Sequence, residues 1–387
     1  MKRRLLSIIL VLALSVSLLS GCAQSGDSTK SATTAASGEK GTEGKTTFGI
    51  KPFAEAQTLS VGYFAGSALS IPFYIADKEG FFKELNINIE YQSFTNGPAM
   101  MEANKNWDIA GAGASGVLVG MLGHDTPMIG VADYEDNQGI FVRKDSKIAK
   151  DPTNPDNWKG TTWLYPVGTT AHFTLATQLE KLGLSMSDIK SVNMDVSSAL
   201  NAFNGGQGDG LAVWHAFALT ADSKGYMRVS DAGKLGMTNV SCLVATRDAL
   251  KSKRELLTKA WAVYYKTVEW INASDENKQK AIQYYNESCE EEGIKCDENV
   301  AKSIMGYYKG PTFDQSIELM TKTSADSKGL YTKRPLVQSE KDLLITMDFF
   351  IKLGKYKDSD RVKLLDNGLV DSSIAKEAKT LMDSTAK

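Results

Sequence analysis

Between Leu59 and Trp214 the chain alternates between short strand-like apolar runs and stretches with helical spacing, and this constrains its fold more than any single motif. Leu59–Phe64, Ile87–Phe94, Trp107–Ala110 and Pro127–Asp133 read as strands. Helices are expected between them: Phe73–Leu85, opened by Pro72 and weakened by Gly80; a short one after Pro98 with Met100, Met101 and Ala103; and an apolar one ending at Leu122. A second series follows the Pro-containing loop 151–157, with strands at Thr162, Lys190–Met194 and Gly210–Trp214 and helices from Ala171 and Ser198. Strands that alternate with helices predict mainly parallel sheets covered on both faces.

Gly139–Arg143 reads as a strand leaving the first series, and Val240–Thr246 as its return. From Asp248 the pattern is almost all helical, with Trp261, Tyr264, Tyr265 and Trp270 as core candidates and late helices at Glu340–Lys352 and Ser373–Met382. At 387 residues the chain exceeds what one hydrophobic core usually spans. The expected fold class is therefore α/β with two lobes and a hinge of two crossing strands: 57–138 with 243–387 as lobe 1, and 139–242 as lobe 2.

The N-terminus sets the compartment. Lys2, Arg3 and Arg4 precede an apolar run from Leu5 to Leu19 and a small-residue ending, which reads as a signal peptide over residues 1–21. The run is shorter than the roughly 20 residues a membrane span needs. Leu18-Leu19-Ser20-Gly21-Cys22 resembles a bacterial lipoprotein box, which implies a lipid on Cys22 and an extracytoplasmic protein anchored to the cell membrane. Residues 22–56, rich in Ser, Thr, Gly and Lys, read as a flexible tether.

Within the second series, Thr161–Leu184 forms a strand, a turn at Gly168 and a helix marked by Leu175, Leu179 and Leu182 and stopped by Gly183. The first amides of such a helix lack internal partners and sit at the positive end of its dipole, so the turn can hold an anion. Thr169 and Thr170 add hydroxyls, and neither has Glu or Gln three residues on to form a capping box. The turn is thus a candidate grip for the acidic end of a small ligand.

Other chemistries are poorly supported. Acidic and basic residues are mixed, with a net charge of −2, and nothing suggests a nucleic-acid surface. Gly111-x-Gly113-x-x-Gly116 follows a strand and is trailed by Asp133, as in a dinucleotide fingerprint, but an exported protein has no maintained nicotinamide pool. The same glycines can bring backbone and the Ser115 hydroxyl close to a ligand. Ser115 misses the Gly-x-Ser-x-Gly frame by one place, His-Glu-x-x-His is absent, and the chain has three histidines. No catalytic residue, cofactor or metal site is expected, and no cysteine cluster has zinc spacing. Cys289 and Cys296 could form a local disulfide or remain two thiols, and Cys242 reads as a buried small residue.

Four segments then resemble a known family in order: Pro72-Phe-Tyr-Ile-Ala-Asp-Lys-Glu-Gly-Phe-Phe82, Asp108-Ile-Ala-Gly-Ala-Gly113, Gly168-Thr-Thr-Ala-His-Phe173 and Asp209-Gly-Leu-Ala-Val-Trp214. Together with a late helix at Ser339–Leu353, the chain from about Leu59 to Val370 is similar to extracytoplasmic solute-binding proteins of ABC importers, in the branch for aliphatic sulfonates, taurine, nitrate and thiamine-precursor pyrimidines. The resemblance implies a type II periplasmic-binding-protein-like clamp, non-enzymatic and monomeric, that delivers a small solute to a membrane permease. It implies that Ser67 and Ala68 lie in one ligand loop and Ser115 in another, that Gly168, Thr169, Thr170 and His172 grip the anion, and that Trp214 stands at the cleft. A similar Gly-Ser-Ser-Ala-His turn in sulfonate-binding members favours a sulfonate or taurine.

After Trp214 this chain has His215-Ala216-Phe217 where the family commonly has Asp-Pro and an aromatic, so Asp133 is the expected partner for a ligand amine. His172 shares a helical face with Leu175 and Leu179 and could instead be a core-edge residue. Asp133-Tyr134-Glu135-Asp136 could equally be a solvated acidic loop. A pyrimidine, nitrate or carboxylate ligand, or an exported enzyme on this fold, are the alternatives.

Overall fold

The computed structural model describes residues 46–64, 66–237, 239–324 and 334–385. The expected signal peptide, the lipidation site Cys22 and most of the tether lie outside the described residues.

The first series folds as β1 (Gln57–Phe64), α1 (Ile71–Lys78), β2 (Ile87–Phe94), α2 (Gly97–Glu102), β3 (Ile109–Gly113), α3 (Ala114–His124) and β4 (Met128–Glu135). The second contains β5 (Gly139–Val142), α4 (Lys147–Lys150), β6 (Thr162–Tyr165), α5 (Thr170–Lys181), β7 (Lys190–Asn193), α6 (Val196–Asn204), β8 (Gly210–Val213), α7 (His215–Ser223) and β9 (Met227–Asp231). The chain returns through β10 (Asn239–Ala245) and continues as α8 (Arg247–Ser252), α9 (Arg254–Ala273), α10 (Asp275–Glu291), α11 (Glu298–Tyr307), α12 (Phe313–Thr321), α13 (Gln338–Lys352), α14 (Asp358–Asp366) and α15 (Ser373–Thr385). No described helix is long and apolar enough to cross a membrane.

Two five-stranded sheets result, ordered β2-β1-β3-β10-β4 and β7-β6-β8-β5-β9. Each sheet has two parallel pairings, β1 with β2 and β3, and β6 with β7 and β8, and two antiparallel ones, so the sheets are mixed rather than mainly parallel as the alternation predicted. The fourth strand of each, β10 or β5, runs antiparallel to both neighbours, and each is the strand by which the chain has just crossed between sheets. All of β10 pairs in the first sheet, so the chain has returned by Asn239, earlier than Leu243. The crossings themselves are short irregular segments, one after Glu135 and one after Asp231, rather than strands. They hydrogen-bond to each other, Ala232 N to Gln138 O at 3.0 Å and Gly233 N to Asp136 O at 3.2 Å.

Local chemistry explains where the elements stop. Gly80 takes φ +84° and ends the first helix before its expected end at Leu85. Pro166 ends β6 at Tyr165, because it has no N–H for the ladder. Gly183, at φ +73°, follows the end of α5. The long α9 is pinned to the first sheet by Trp261 Nε1 donating to Ile129 O at 2.9 Å and Tyr265 Oη to Val131 O at 2.7 Å. Trp261, Tyr264 and Tyr265 are fully buried, and burial of each such ring contributes on the order of 2 kcal/mol or more.

Candidate functional site

The residues that close β1, β3 and β4 in the first lobe meet those that follow β6 and β8 in the second around a narrow cavity, whose roughly 330 Å³ of empty space includes its mouth to solvent. Phe64, Gly97, Pro98, Gly113, Gly116 and Glu135 form its first-lobe wall. Thr169, Thr170, Trp214 and His215 form the other. Ligands of parallel α/β sheets collect beyond the carboxyl ends of strands, and here two sheets offer such ends to one space. The lobes touch on either side of it: a Cβ on Gly113 would come within 2.9 Å of the Thr170 methyl, and one on Gly66 within 2.9 Å of the Phe217 ring.

Four helices begin at this cavity; α2 is capped by Asn96, whereas α3 after Gly113, α5 after Thr169 and α7 after Trp214 have no side chain capping their first amides. Elsewhere Asp195, Thr246, Ser274 and Asp297 supply such caps. Thr169 has the right chemistry for a cap, but its hydroxyl donates to Pro166 O at 2.7 Å. The first-turn amides of α5 therefore remain open toward the cavity, at the positive end of the helix dipole.

Buried polar atoms around the space also lack partners. The Ser115 hydroxyl and the Trp214 indole N–H are enclosed without a hydrogen bond, on residues 1% and 3% exposed. Buried donors are normally satisfied, and leaving one unpaired costs about 1–3 kcal/mol. Strain adds to this cost, since His215 adopts φ +46°, an unusual conformation for a residue with a side chain.

That turn sets the imidazole Nε2 of His215 3.5 Å from Glu135 Oε1. The carboxylate also accepts hydrogen bonds from the Ser241 hydroxyl and the Gln138 side-chain amide, and Gln138 Oε1 accepts from Asn239 Nδ2 at 3.0 Å. The pKa of His215 is raised: burial works against its charge, but Glu135 and then Asp133 outweigh it. Asp133 is pushed up to about 7, chiefly by burial and then by Glu135.

The residues expected from sequence separate into two groups. Thr169, Thr170, Trp214 and His215 line the cavity, and Ser115 lies between two lining glycines. Gly168 has φ +82°, which shapes the turn, and its N–H donates to His172 Nδ1 at 3.2 Å. His172 does not line the cavity. It stacks on Tyr165 with centroids 5.3 Å apart and meets Phe349 and Phe350 of α13, and burial pushes its pKa down to about 4, so it stays neutral. Ser67 caps a short turn through Leu69 N at 3.2 Å, and Ala68 packs in an apolar cluster with Ile71 and Ala216.

Asp133 is outside the lining as well; its Oδ1 accepts from Lys309 N at 2.7 Å and Tyr134 N at 2.8 Å. The acid on the cavity wall is Glu135, two residues further along β4, which sequence reasoning left in the acidic loop. Strand alternation put Glu135 on the same face as Asp133 and was the available signal. Cys289 and Cys296, a candidate disulfide, are buried free thiols, and Cys296 Sγ donates to Asp297 O at 3.7 Å. Among the described residues no group of three or more His, Cys, Asp or Glu could hold a metal.

Comparisons with known proteins agree with this architecture. YtlA of Bacillus subtilis (strain 168) is 23% identical over 297 residues, 73% of this chain and 87% of YtlA. The alkanesulfonate-binding protein SsuA from Xanthomonas axonopodis pv. citri, bound to MOPS, superposes with a TM-score of 0.61 at 20% identity, covering 78% of this chain and 95% of SsuA. DszB, in complex with biphenyl-2-sulfinic acid, gives 0.58 at 13% identity, covering 85% of this chain and 99% of DszB. At these identities the superpositions establish a shared two-lobed α/β fold. The profile of the NMT1/THI5-like family matches residues 68–277, more than half of the 387, and the chain belongs to that family.

Proposed function

We propose that this chain is the solute-binding component of an ABC-type import system, held outside the cytoplasm by a lipid on Cys22, and that it captures a small anionic or zwitterionic solute between its lobes, a sulfonate or taurine-like compound by preference. It would act without chemistry and as a monomer, handing the solute to a membrane permease. One observation carries this reading: three uncapped helix N-termini and the unpartnered buried indole N–H of Trp214 converge on one cavity, with the unpartnered Ser115 hydroxyl in the first turn of α3 beside its lining glycines. Such a set is costly when empty and is satisfied by an acceptor-rich anion. The likeness to SsuA bound to MOPS, itself a sulfonate, supports that class of ligand.

Lobe 1 is proposed as residues 57–138 with the C-terminal part of the chain, and lobe 2 as the inserted segment from 139. With Asp133 engaged by backbone amides, an amine on the solute would meet Glu135 instead.

The likeness to DszB favours a second reading, an exported enzyme acting on a sulfur oxyacid on the same fold. Calorimetric titration with methanesulfonate, taurine, nitrate and a pyrimidine, followed by mass spectrometry of the recovered solute, separates the two. Saturable binding of an unaltered sulfonate supports the receptor. Conversion of the solute supports the enzyme, and binding of the pyrimidine alone overturns the sulfonate preference.

A further inference from the structure

A second cavity, whose roughly 480 Å³ of empty space includes its mouth to solvent, lies within the first lobe, between the end of β1, α1, β2 and the end of α10. Its lining includes three tyrosines, Tyr63, Tyr74 and Tyr91, and two carboxylates, Glu291 and Glu292. The rings stand at steep angles: Tyr63 and Tyr91 have centroids 6.0 Å apart at 89°, Tyr74 and Tyr91 6.2 Å at 53°. At these separations the rings pack edge to face or tilted against one another, and together they line one side of the cavity as a partial cage.

The charges there do not balance. Glu291 accepts from Tyr74 Oη at 2.8 Å and pairs with Lys78 Nζ at 3.3 Å. Glu292 accepts only from neutral hydroxyls, those of Tyr63 and Ser93, and has no cationic partner among the described residues. Both acids occur where α10 ends, and the last turn of that helix holds no basic residue. Carboxylates there oppose the helix dipole, which favours cations at this end. The Tyr91 phenol oxygen is buried and lacks a hydrogen-bond partner. Burial, then Asp77, Tyr74 and Tyr63, hold that phenol well above its ordinary range, so it stays neutral. Lys78 already stands 4.8 Å from the Tyr74 ring centre, so one cation uses the rim of this cage.

We propose that the Tyr63, Tyr74 and Tyr91 cage, with Glu292 as counter-charge, binds a small organic ammonium. An alkylated ammonium suits it because aromatic rings replace water around a diffuse cation at little desolvation cost, while one carboxylate neutralises its charge. The site is separate from the interlobe cavity and does not depend on what that cavity holds. The two share one wall, Phe64, whose ring meets Trp214 with centroids 6.2 Å apart.

The test is calorimetric titration of the whole folded protein with tetramethylammonium chloride, with sodium and calcium chloride as controls. Saturable binding of tetramethylammonium is expected, weakened about tenfold or more in Glu292→Gln and in Tyr91→Leu and retained in Tyr91→Phe, which keeps the ring. Circular dichroism of each variant establishes that it is folded. Absence of saturable binding overturns the proposal, as does equal affinity in folded Glu292→Gln. Calcium binding in preference to tetramethylammonium overturns it too and makes the cage an inorganic cation site.

Discussion

His215 Nε2 lies 3.5 Å from Glu135 Oε1, and this contact joins the first helical residue of α7 in one lobe to the last residue of β4 in the other. It stands beside both crossings, because the same carboxylate accepts from Gln138 on one and from Ser241 on the strand that follows the other. A rotation of one lobe against the other would therefore change the surroundings of a buried carboxylate that lies between the crossings and the cavity.

Stability should fall as pH rises through this cluster. Asp133 has a folded pKa near 7 against an ordinary value of 3.8, so between these limits the native state holds a proton that the unfolded chain releases. Each pH unit in that window then costs about 1.4 kcal/mol. His215, with its pKa raised, contributes stability that is present at low pH and lost as pH rises through its folded value, in the same direction. Melting temperatures at pH ~5 and ~7 should show the decline, and Asp133→Asn should flatten it. A pH-independent melting temperature would place the charge of Asp133 in solvent.

If the lobes close on solute as proposed, closure should depend on Gly113. A Cβ there would sit 2.9 Å from the Thr170 methyl, closer than real contacts allow, and the clash lies between lobes rather than within one. Gly113→Val is expected to fold, remain open and lose solute binding. Small-angle scattering should give a larger radius of gyration than the wild type at saturating ligand. A closed, binding-competent Gly113→Val protein would contradict the contact.

The anion grip should be read by the unpartnered buried donors on the cavity wall and beside it. Ser115→Ala and Trp214→Phe each remove one buried donor, and a hydrogen bond to a charged group is worth about 1.5–3 kcal/mol, so each should weaken solute binding roughly ten- to a hundredfold. His172→Ala acts differently. It removes the acceptor of Gly168 N–H and a ring packed on Tyr165, so it should lower the melting temperature more than it lowers affinity.

The amine end of a zwitterion distinguishes two acids. Asp133→Asn should leave the order of taurine and ethanesulfonate affinity unchanged, because that side chain does not line the cavity. Glu135→Gln should weaken taurine more than ethanesulfonate in parallel titrations. Reversal of the order by Asp133→Asn would return the role to Asp133.

The thiols of Cys289 and Cys296 are adjacent and buried, and an oxidising compartment would favour their pairing. Intact mass after air oxidation should show the loss of two hydrogens, and Cys289→Ser should abolish it. An unchanged mass would mean that their geometry forbids the bond.

The sequence alone determined the order and type of most elements, because strand alternation, helical spacing and Gly or Pro at the ends act over a few residues. Gly80 and Pro166 show how finely this works, each displacing a boundary by its own backbone chemistry. The same local signals identified the turn at Gly168, and with it Thr169 and Thr170 at the cavity. Tertiary structure decided the rest. Whether His172 faced a ligand or packed against Phe349 depended on where α13, nearly 180 residues later, comes to lie. Whether Asp133 or Glu135 reached the cavity depended on Lys309 offering its amide to one and His215 its ring to the other. Such contacts join residues far apart in the chain, and local periodicity carries no information about which of two residues on one strand face a distant partner will claim.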